Sequence, residues 1–418
     1  MNEDHRLTKV EILLQQKKYS EAERVLKELL FEDSNNIHFL SLLAEVNLQQ
    51  DKFEEAKNII DNAIGRSPDS PFLFYTKSRI ALQQDDYNEA EKCIKQSIAL
   101  DPYDADYFAL LANIKLSRKK YDEALKYADR ALEIDPENLL GLNTRSTALL
   151  KLDKKDESFE TIEGALRSDP NNSYTHANYG WGLLEKGDYK KAKEHFKEAL
   201  QSNPNNEYAK SGMATALKAT NPFYRLFLKY AFWMSNLTAK YQWGVIIGFY
   251  IGFRTLRSLA DSNENLQPYL IPIIVALAIF AFSTWVMDPI SNLFLRFNKY
   301  GQYLLDKNEK MSSNFVAVSF FTFLAGLLLY FVLNDMRFLS ITVFGFAMML
   351  PFGVMFSNSK KNNLLLIYAI AMSAVGLLAI GTTFIEGELM NMFSVLFVLG
   401  FVLFQWVANF IMIKKDNK

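Results

Sequence analysis

The sequence predicts an all-α protein in two parts: an N-terminal helical repeat solenoid, then a polytopic helical membrane bundle of about six spans. Three observations carry this. Pro68, Pro102, Pro136, Pro170 and Pro204 recur every 34 residues without an insertion. Long apolar runs begin only after residue 240. The charge divides in the same way: residues 1–220 hold 31 basic and 38 acidic side chains, residues 221–418 only 15 and 9.

Averages over the whole chain conceal that division. Across 418 residues, 46 Lys+Arg stand against 47 Asp+Glu, and mean hydropathy is −0.04, values that taken alone describe a neutral soluble protein. The basic excess of the second half lies among apolar runs and not on a polar face, which excludes a nucleic-acid binder. The lone Cys93 excludes a disulfide scaffold and a Cys-based metal cluster, and reads as an inert small core residue. The polar, acidic start Met1-Asn2-Glu3-Asp4-His5-Arg6 predicts no cleaved signal peptide.

The proline period has companions in register. One small-residue column reads Ala22, Ala56, Ala90, Ala124, Ser158 and Ala192; a second reads Ala63, Ser97, Ala131, Ala165 and Ala199; a third reads Ala44, Ser78, Ala112, Ser146 and Gly180. Tyr19, Phe53, Tyr87, Tyr121 and Tyr189 form an aromatic column broken by Lys155. Each unit holds two stretches of about a dozen residues with apolar positions at i, i+3, i+4 and i+7, which predicts a helix pair. Small residues fall where the two helices must approach, and Asp-Pro pairs such as Asp101-Pro102 end the second helix. No unit buries its face alone, so the stack shares one core.

This pattern resembles the tetratricopeptide repeat over residues 3–206, in six repeats, with 207–219 as a solvating cap helix. Repeat 1 is degenerate at Val10, Leu29 and Ser34, and repeat 5 departs at Lys155 and Ser158, where looser packing is expected. The resemblance implies that inner helices line a concave groove for extended or helical peptides. Carried over position by position, that groove takes Phe72, Tyr75 and Arg79 from the third repeat, Asn113 from the fourth, and Asn143 and Thr147 from the fifth. The sixth supplies Tyr174, Asn178 and Trp181. Amides would bond a peptide backbone without demanding a sequence, and Tyr75 and Trp181 would anchor apolar side chains. A pure packing role for Tyr75 and Tyr174, covering helix stems, stands beside that reading. The two-carboxylate clamp of chaperone-binding members is absent, because Leu7, Glu11, Leu42, Phe72 and Thr76 replace its Lys, Asn and Arg, so a chaperone C-terminal tail is disfavoured.

Six apolar stretches, roughly 242–260, 267–287, 315–334, 337–357, 364–385 and 391–413, are long enough or nearly so to cross about 30 Å of hydrocarbon. The first is weakest, interrupted by Arg254 and Arg257. Basic residues set the orientation. With the repeats cytoplasmic, Arg225, Lys229, Lys240, Arg296, Lys299, Lys307, Lys310, Lys360, Lys361, Lys414, Lys415 and Lys418 all fall inside, against Arg254, Arg257 and Arg337 near the other face. Both termini are then cytoplasmic. The expected organisation is a solenoid at 1–220, an amphipathic juxtamembrane helix at 221–240, the bundle at 241–413 and a basic tail at 414–418. Residues 223–238 and 290–306 both read as surface-lying helices, the first with Phe223, Phe227, Tyr230, Trp233 and Leu237 close to one face, the second with Leu293, Phe297, Tyr300 and Leu304.

The chemistry of an enzyme is missing. All four His residues (His5, His38, His176, His195) lie in the repeats, and Asp288 stands alone at a span end before Pro289. No catalytic, cofactor or metal residue is expected. Arg254 is the one membrane charge that asks for a role; with Arg257 it either snorkels or pairs with Asp261 and Glu264, or it serves the bundle's function. Gly326, Gly345, Gly376 and Gly381 mark candidate close helix contacts, and Pro268, Pro272 and Pro351 candidate kinks. The expected function is a membrane-anchored scaffold or adaptor whose groove binds a protein or peptide. The bilayer, and a second integral membrane protein, are its further partners. The alternative is a transporter- or channel-like bundle, for a small molecule or lipid, regulated by the repeats. The Asn/Lys/Phe-rich style and short loops suggest a bacterial inner membrane.

Overall fold

A computed structural model describes residues 3–356 and 363–416. Lys360, Lys361 and Lys418 therefore lie outside the described residues, as do the side chains of Lys414 and Lys415. The repeats are antiparallel helix pairs: α1 (Glu3–Gln15) with α2 (Tyr19–Glu32), α3 (Ile37–Gln49) with α4 (Phe53–Arg66), α5 (Pro71–Gln83) with α6 (Tyr87–Leu100), and α7 (Ala105–Ser117) with α8 (Tyr121–Ile134). They continue as α9 (Leu139–Lys151) with α10 (Lys155–Ser168), α11 (Ser173–Lys186) with α12 (Tyr189–Ser202), and the closing α13 (Glu207–Lys218). The chain forms two compact units that divide between Tyr179 and Gly180, inside α11.

In the first unit, each hairpin turns through a single left-handed residue: Lys17, Asp51, Asp85, Lys119 and Asp153 have φ between 57° and 62°. The next amide reaches back five residues, as Lys52 N to Asn47 O (2.9 Å) and Lys120 N to Lys115 O (2.9 Å), and satisfies carbonyls that the helix end leaves open. Between pairs, the residue before the proline folds the turn. Asp101 and Asp135 each accept from the amide two residues on, at 3.0 Å, before Asp104 and Asn138 cap the next helix.

Small columns are small because they are sealed: Ala22, Ala56, Ala90, Ala124, Ala63, Ala131 and Ala165 have no exposed surface. The looser packing expected at repeat 5 is not found. Ser158 is buried, and it donates to Ser146 O (2.7 Å) while Ser146 donates to Ser158 O (3.0 Å), so two hydroxyls join the helices where repeat 3 uses one, Ser78 Oγ to Ala90 O at 2.8 Å. Lys155 turns outward to pair with Asp153 at 2.8 Å.

The second unit opens with the end of α11. Phe196 of α12 is fully buried between Gly180 and Gly212, where a Cβ would come within 2.7 Å and 2.1 Å of its ring. The unit continues through α14 (Pro222–Asn236), α15 (Ala239–Ser262), α16 (Gln267–Leu295), a 3-10 turn (Gly301–Tyr303), α17 (Lys307–Leu333), α18 (Phe338–Val354), α19 (Leu364–Glu386) and α20 (Met392–Asp416).

Four of these helices, Gln267–Leu295, Lys307–Leu333, Leu364–Glu386 and Met392–Ile413, are long and apolar enough to cross a membrane. Two of the six expected spans fall short. The fourth is the 17-residue helix Phe338–Val354, and α15 is a continuous helix whose apolar run is diluted by Arg254 and Arg257. Glycines seat α18 on α17: a Cβ at Gly326 would lie 2.6 Å from Thr342 N, and one at Gly345 2.3 Å from Phe323 N. Gly376 is likewise closed in by Phe344, but Gly381 faces open space and marks no contact. The prolines sit within continuous helices, Pro272 and Pro289 in α16 and Pro351 in α18.

Asp288 is not alone. It receives Lys218 Nζ at 3.1 Å and the Tyr224 hydroxyl at 2.9 Å, which fastens α13 and α14 to the end of α16. Beside that carboxylate, burial pushes the Tyr224 phenol far above its ordinary value. On α14, Phe223 and Trp233 of the expected apolar face are exposed, Phe227 and Tyr230 pack within the unit, and Tyr224 and Leu228 are buried. Residues 290–306 do not form one helix, because α16 ends at Leu295 and Asn298 then folds a turn, accepting from Tyr300 N (3.0 Å) and Gly301 N (3.1 Å).

Candidate functional site

On the first unit, a recess of about 480 Å³ opens between α3 and α5. Ile37, Leu42, Phe72 and Leu73 give it apolar walls; His38, Ser41, Glu45 and Arg79 give it a polar side. Both elements are the first helices of their pairs, which is why successive repeats bring the same face to one surface. Phe72 is half exposed, with its ring 6.1 Å from Tyr75, and Tyr75 packs 5.4 Å from Tyr107.

Arg79 fixes the polar side. Its guanidinium grips Glu45 with two bonds, at 2.6 Å and 3.0 Å, and lies 5.7 Å from the Tyr75 ring centre. Burial raises the phenols of Tyr75 and Tyr107, the latter to about 12, so both stay neutral hydrogen-bonding groups at physiological pH. The recess thus offers an aromatic shelf beside a charge pair of zero net charge, suited to an apolar side chain carried on a polar backbone.

Among the expected residues, Phe72 and Arg79 line this recess and Tyr75 supports it. Asn113 is half-buried on α7, and Tyr174 is exposed at the start of α11. Asn143 and Asn178 are buried, and they bond mainly to the protein itself. Asn143 donates to Thr175 Oγ1 (2.9 Å) and Leu139 O (2.8 Å), Asn178 donates to Asn143 Oδ1 (3.2 Å), and Thr147 donates to Asn143 O (3.0 Å). This network sets the spacing of neighbouring inner helices.

Trp181 belongs to the second unit. There it stacks on Tyr208 at 5.6 Å, donates its indole N–H to Tyr208 O at 3.2 Å, and meets Phe196 and Phe232 edge-on. Arg254 lies on an exposed face of α15, and Arg257 reaches Asp261 at 4.0 Å. Sequence reasoning missed His38, Ser41 and Glu45. A signal for Glu45 was present, since Glu45 and Arg79 occupy the same position in successive repeats.

A solenoid of paired helices, with sealed small-residue columns and a ligand-sized recess on its inner helices, defines the first half as a helical repeat module. Three tetratricopeptide repeat models match this half, over residues 7–71, 47–114, and 105–138 with 173–206, together less than half of the chain. The second half carries no family match. Among solved structures, the chain is similar to a tetratricopeptide repeat protein from Parabacteroides merdae, with 18% identity, TM-score 0.45, and 50% of this chain and 81% of that one covered. It is similar to TTC0263, a thermophilic TPR protein of Thermus thermophilus, at 18% identity and TM-score 0.41, covering 43% of this chain and 98% of that one. YrrB, described as a TPR protein with an unusual peptide-binding site, shares 18% identity at TM-score 0.32, covering 44% of this chain and 95% of that one. No curated protein matches the chain in sequence.

Proposed function

We propose that this protein is a membrane-anchored interaction scaffold whose repeats hold a protein or peptide at the cytoplasmic face of a bacterial inner membrane. The observation that carries the reading is the recess between α3 and α5, with half-exposed Phe72 at its edge and the Arg79–Glu45 pair behind it. An extended peptide would seat an apolar side chain against Phe72 and Leu42 and take backbone bonds from the polar side. In this reading residues 1–220 are the cytoplasmic arm, 221–240 the juxtamembrane helix, 241–413 the bundle and 414–418 a basic cytoplasmic tail. The basic flanks of the spans support both termini lying inside.

The close seating of α17 on α18 through Gly326 and Gly345 favours an anchor over a conduit. The lipid-sized apolar faces of the four long helices support the membrane location, and leave room for a second integral membrane protein. A photo-crosslinking amino acid at position 72 of the full chain, expressed in membranes, tests the groove. Discrete adducts are expected from position 72 and not from position 92 on the outer face. The same adducts from both positions would refute the reading.

A further inference from the structure

The last turn of α16 and the segment leading to α17 expose four large aromatic side chains within ten residues: Phe294 (66%), Phe297 (88%), Tyr300 (72%) and Tyr303 (78%). Soluble linkers do not leave such a patch open to water. Exposed Arg296 and Lys299 are interleaved with it, and exposed Lys307 follows at the start of α17.

The segment is not slack. Leu295 and Leu305 are buried together against Ala214 of α13, and a Cβ at Gly301 would lie 2.5 Å from Leu295 O. Local packing therefore holds the aromatic rings and cations outward. The two acids of the segment are engaged with backbone: Asp306 accepts from Glu309 N (2.7 Å) and Glu309 accepts from Asp306 N (2.9 Å), a capping box that starts α17. Among the described residues, Arg296 bonds the neutral Asn314 Oδ1 (2.5 Å) and no carboxylate, so its charge is uncompensated there.

The position of the patch is fixed. Tyr224 of α14 bonds Asp288, which precedes Phe294 by six residues, about 9 Å of helical rise on α16, and from there α14 runs back along α16 to place Tyr230 against Phe280. Facing outward at the start of α14, the end nearest Asp288, are Phe223 and Leu226, with Lys229 exposed on the same helix. Aromatic rings mixed with cations, continuous with the end of an apolar helix of membrane length, match the headgroup layer of a bilayer in both polarity and charge.

We propose that the α16–α17 segment, with the outward side chains at the start of α14, is a collar that selectively binds the headgroups of anionic phospholipids; this rests on the membrane reading above. Cations near an anionic leaflet contribute about five-fold each to the preference. An acidic protein surface is the competing occupant, and it would leave the aromatic rings without an apolar phase.

The test uses the full chain in dodecyl maltoside, offered equal phosphatidylglycerol and phosphatidylcholine, with retained lipid counted by native mass spectrometry. At least ten-fold enrichment of phosphatidylglycerol is expected, falling to within two-fold for Arg296→Gln/Lys299→Gln/Lys307→Gln. Excess inorganic phosphate should not displace the lipid. Phe297→Trp, a variant that keeps every charge, should add to the parent chain's five tryptophans an indole signal that is quenched by phosphatidylglycerol brominated on its acyl chain, which keeps the proposal testable if the triple variant does not fold. Equal retention of both lipids, an unchanged preference in a folded triple variant, displacement by phosphate, or an unquenched indole at position 297 would each overturn the collar. Extraction of the chain from membranes by alkaline carbonate would instead defeat the membrane reading; resistance to carbonate with no lipid preference defeats the collar alone.

Discussion

Lys218 Nζ, at the end of the cap helix α13, sits 3.1 Å from Asp288 Oδ1 at the end of α16, seventy residues on. The two partners are unequal. Only 7% of the lysine side chain is exposed, against 53% of the aspartate. Lys218 also lies 5.7 Å from the Tyr224 ring centre, and Tyr224 gives its own hydroxyl to the same carboxylate.

That asymmetry predicts the order of two single mutants. Asp288→Asn leaves a buried ammonium without a counter-ion, and should destabilise the chain by about 2–3 kcal/mol. Lys218→Met leaves a carboxylate that still has water and Tyr224, and should cost under about 1 kcal/mol. The double variant should recover most of the loss of Asp288→Asn. Thermal unfolding in detergent reads all three, and equal single-mutant effects would contradict the burial argument.

The left-handed turns offer a second prediction. Five of the repeat hairpins place Lys or Asp where glycine has no steric penalty, and among the described repeats only Gly187 (φ 93°) uses the residue suited to the position. Asp153→Gly and Lys119→Gly should each stabilise by about 0.5–1 kcal/mol, the relief of strain exceeding the added freedom of the unfolded chain. Gly187→Ala should move Tm in the opposite direction. Denaturant midpoints compared at constant slope check the sign.

These turns show what was legible in the sequence. A 34-residue period fixed helix pairs, small columns and proline positions, because those depend on contacts repeated identically along the stack. The amide ladder of Asn143 and Asn178 could be placed on inner helices, but not its partners; whether an amide faces a ligand or its neighbour depends on small differences in helix spacing. Trp181 read as a groove anchor for the same reason, since nothing in the repeat pattern announces that Tyr208 and Phe232 will enclose it. Asp288 looked solitary because its partners are 64 and 70 residues away. The break after Leu295 was missed because Asn298 and Gly301 act through a local turn that overrides a helical pattern of Phe and Tyr.

Two carboxylates make the first unit sensitive to acid. Hydrogen bonds from Lys27, Lys52 and Gln50 hold Glu23 at about 2. Burial alone would raise Glu91, but hydrogen bonds from Lys95 and Lys115 outweigh it and hold that group at about 2 as well. Both values lie below the ordinary 4.5, so the stabilisation is fully present above pH 4.5 and is lost as pH falls towards 2. Screened by solvent near the surface, each contributes about 1 kcal/mol. Unfolding midpoints measured from pH 6 to pH 2 should fall, and Glu91→Gln should flatten part of that fall while lowering stability at pH 6.

Glycines of the second unit separate packing from mere tolerance. A methyl group at Gly345 would sit 2.3 Å from Phe323 N and 2.8 Å from Ser319 O, and one at Gly326 2.6 Å from Thr342 N. These are backbone atoms of a helix, which retreat only if α17 and α18 part along their length. Gly345→Ala should therefore lower Tm in detergent by several degrees, an overpacking cost of about 1–3 kcal/mol. Gly248 and Gly381 face open space, so the same methyl there meets nothing and adds helix propensity. Gly381→Ala should be neutral or stabilising by up to about 1 kcal/mol. If both substitutions behaved alike, the glycine seam between α17 and α18 would not be what holds those helices together.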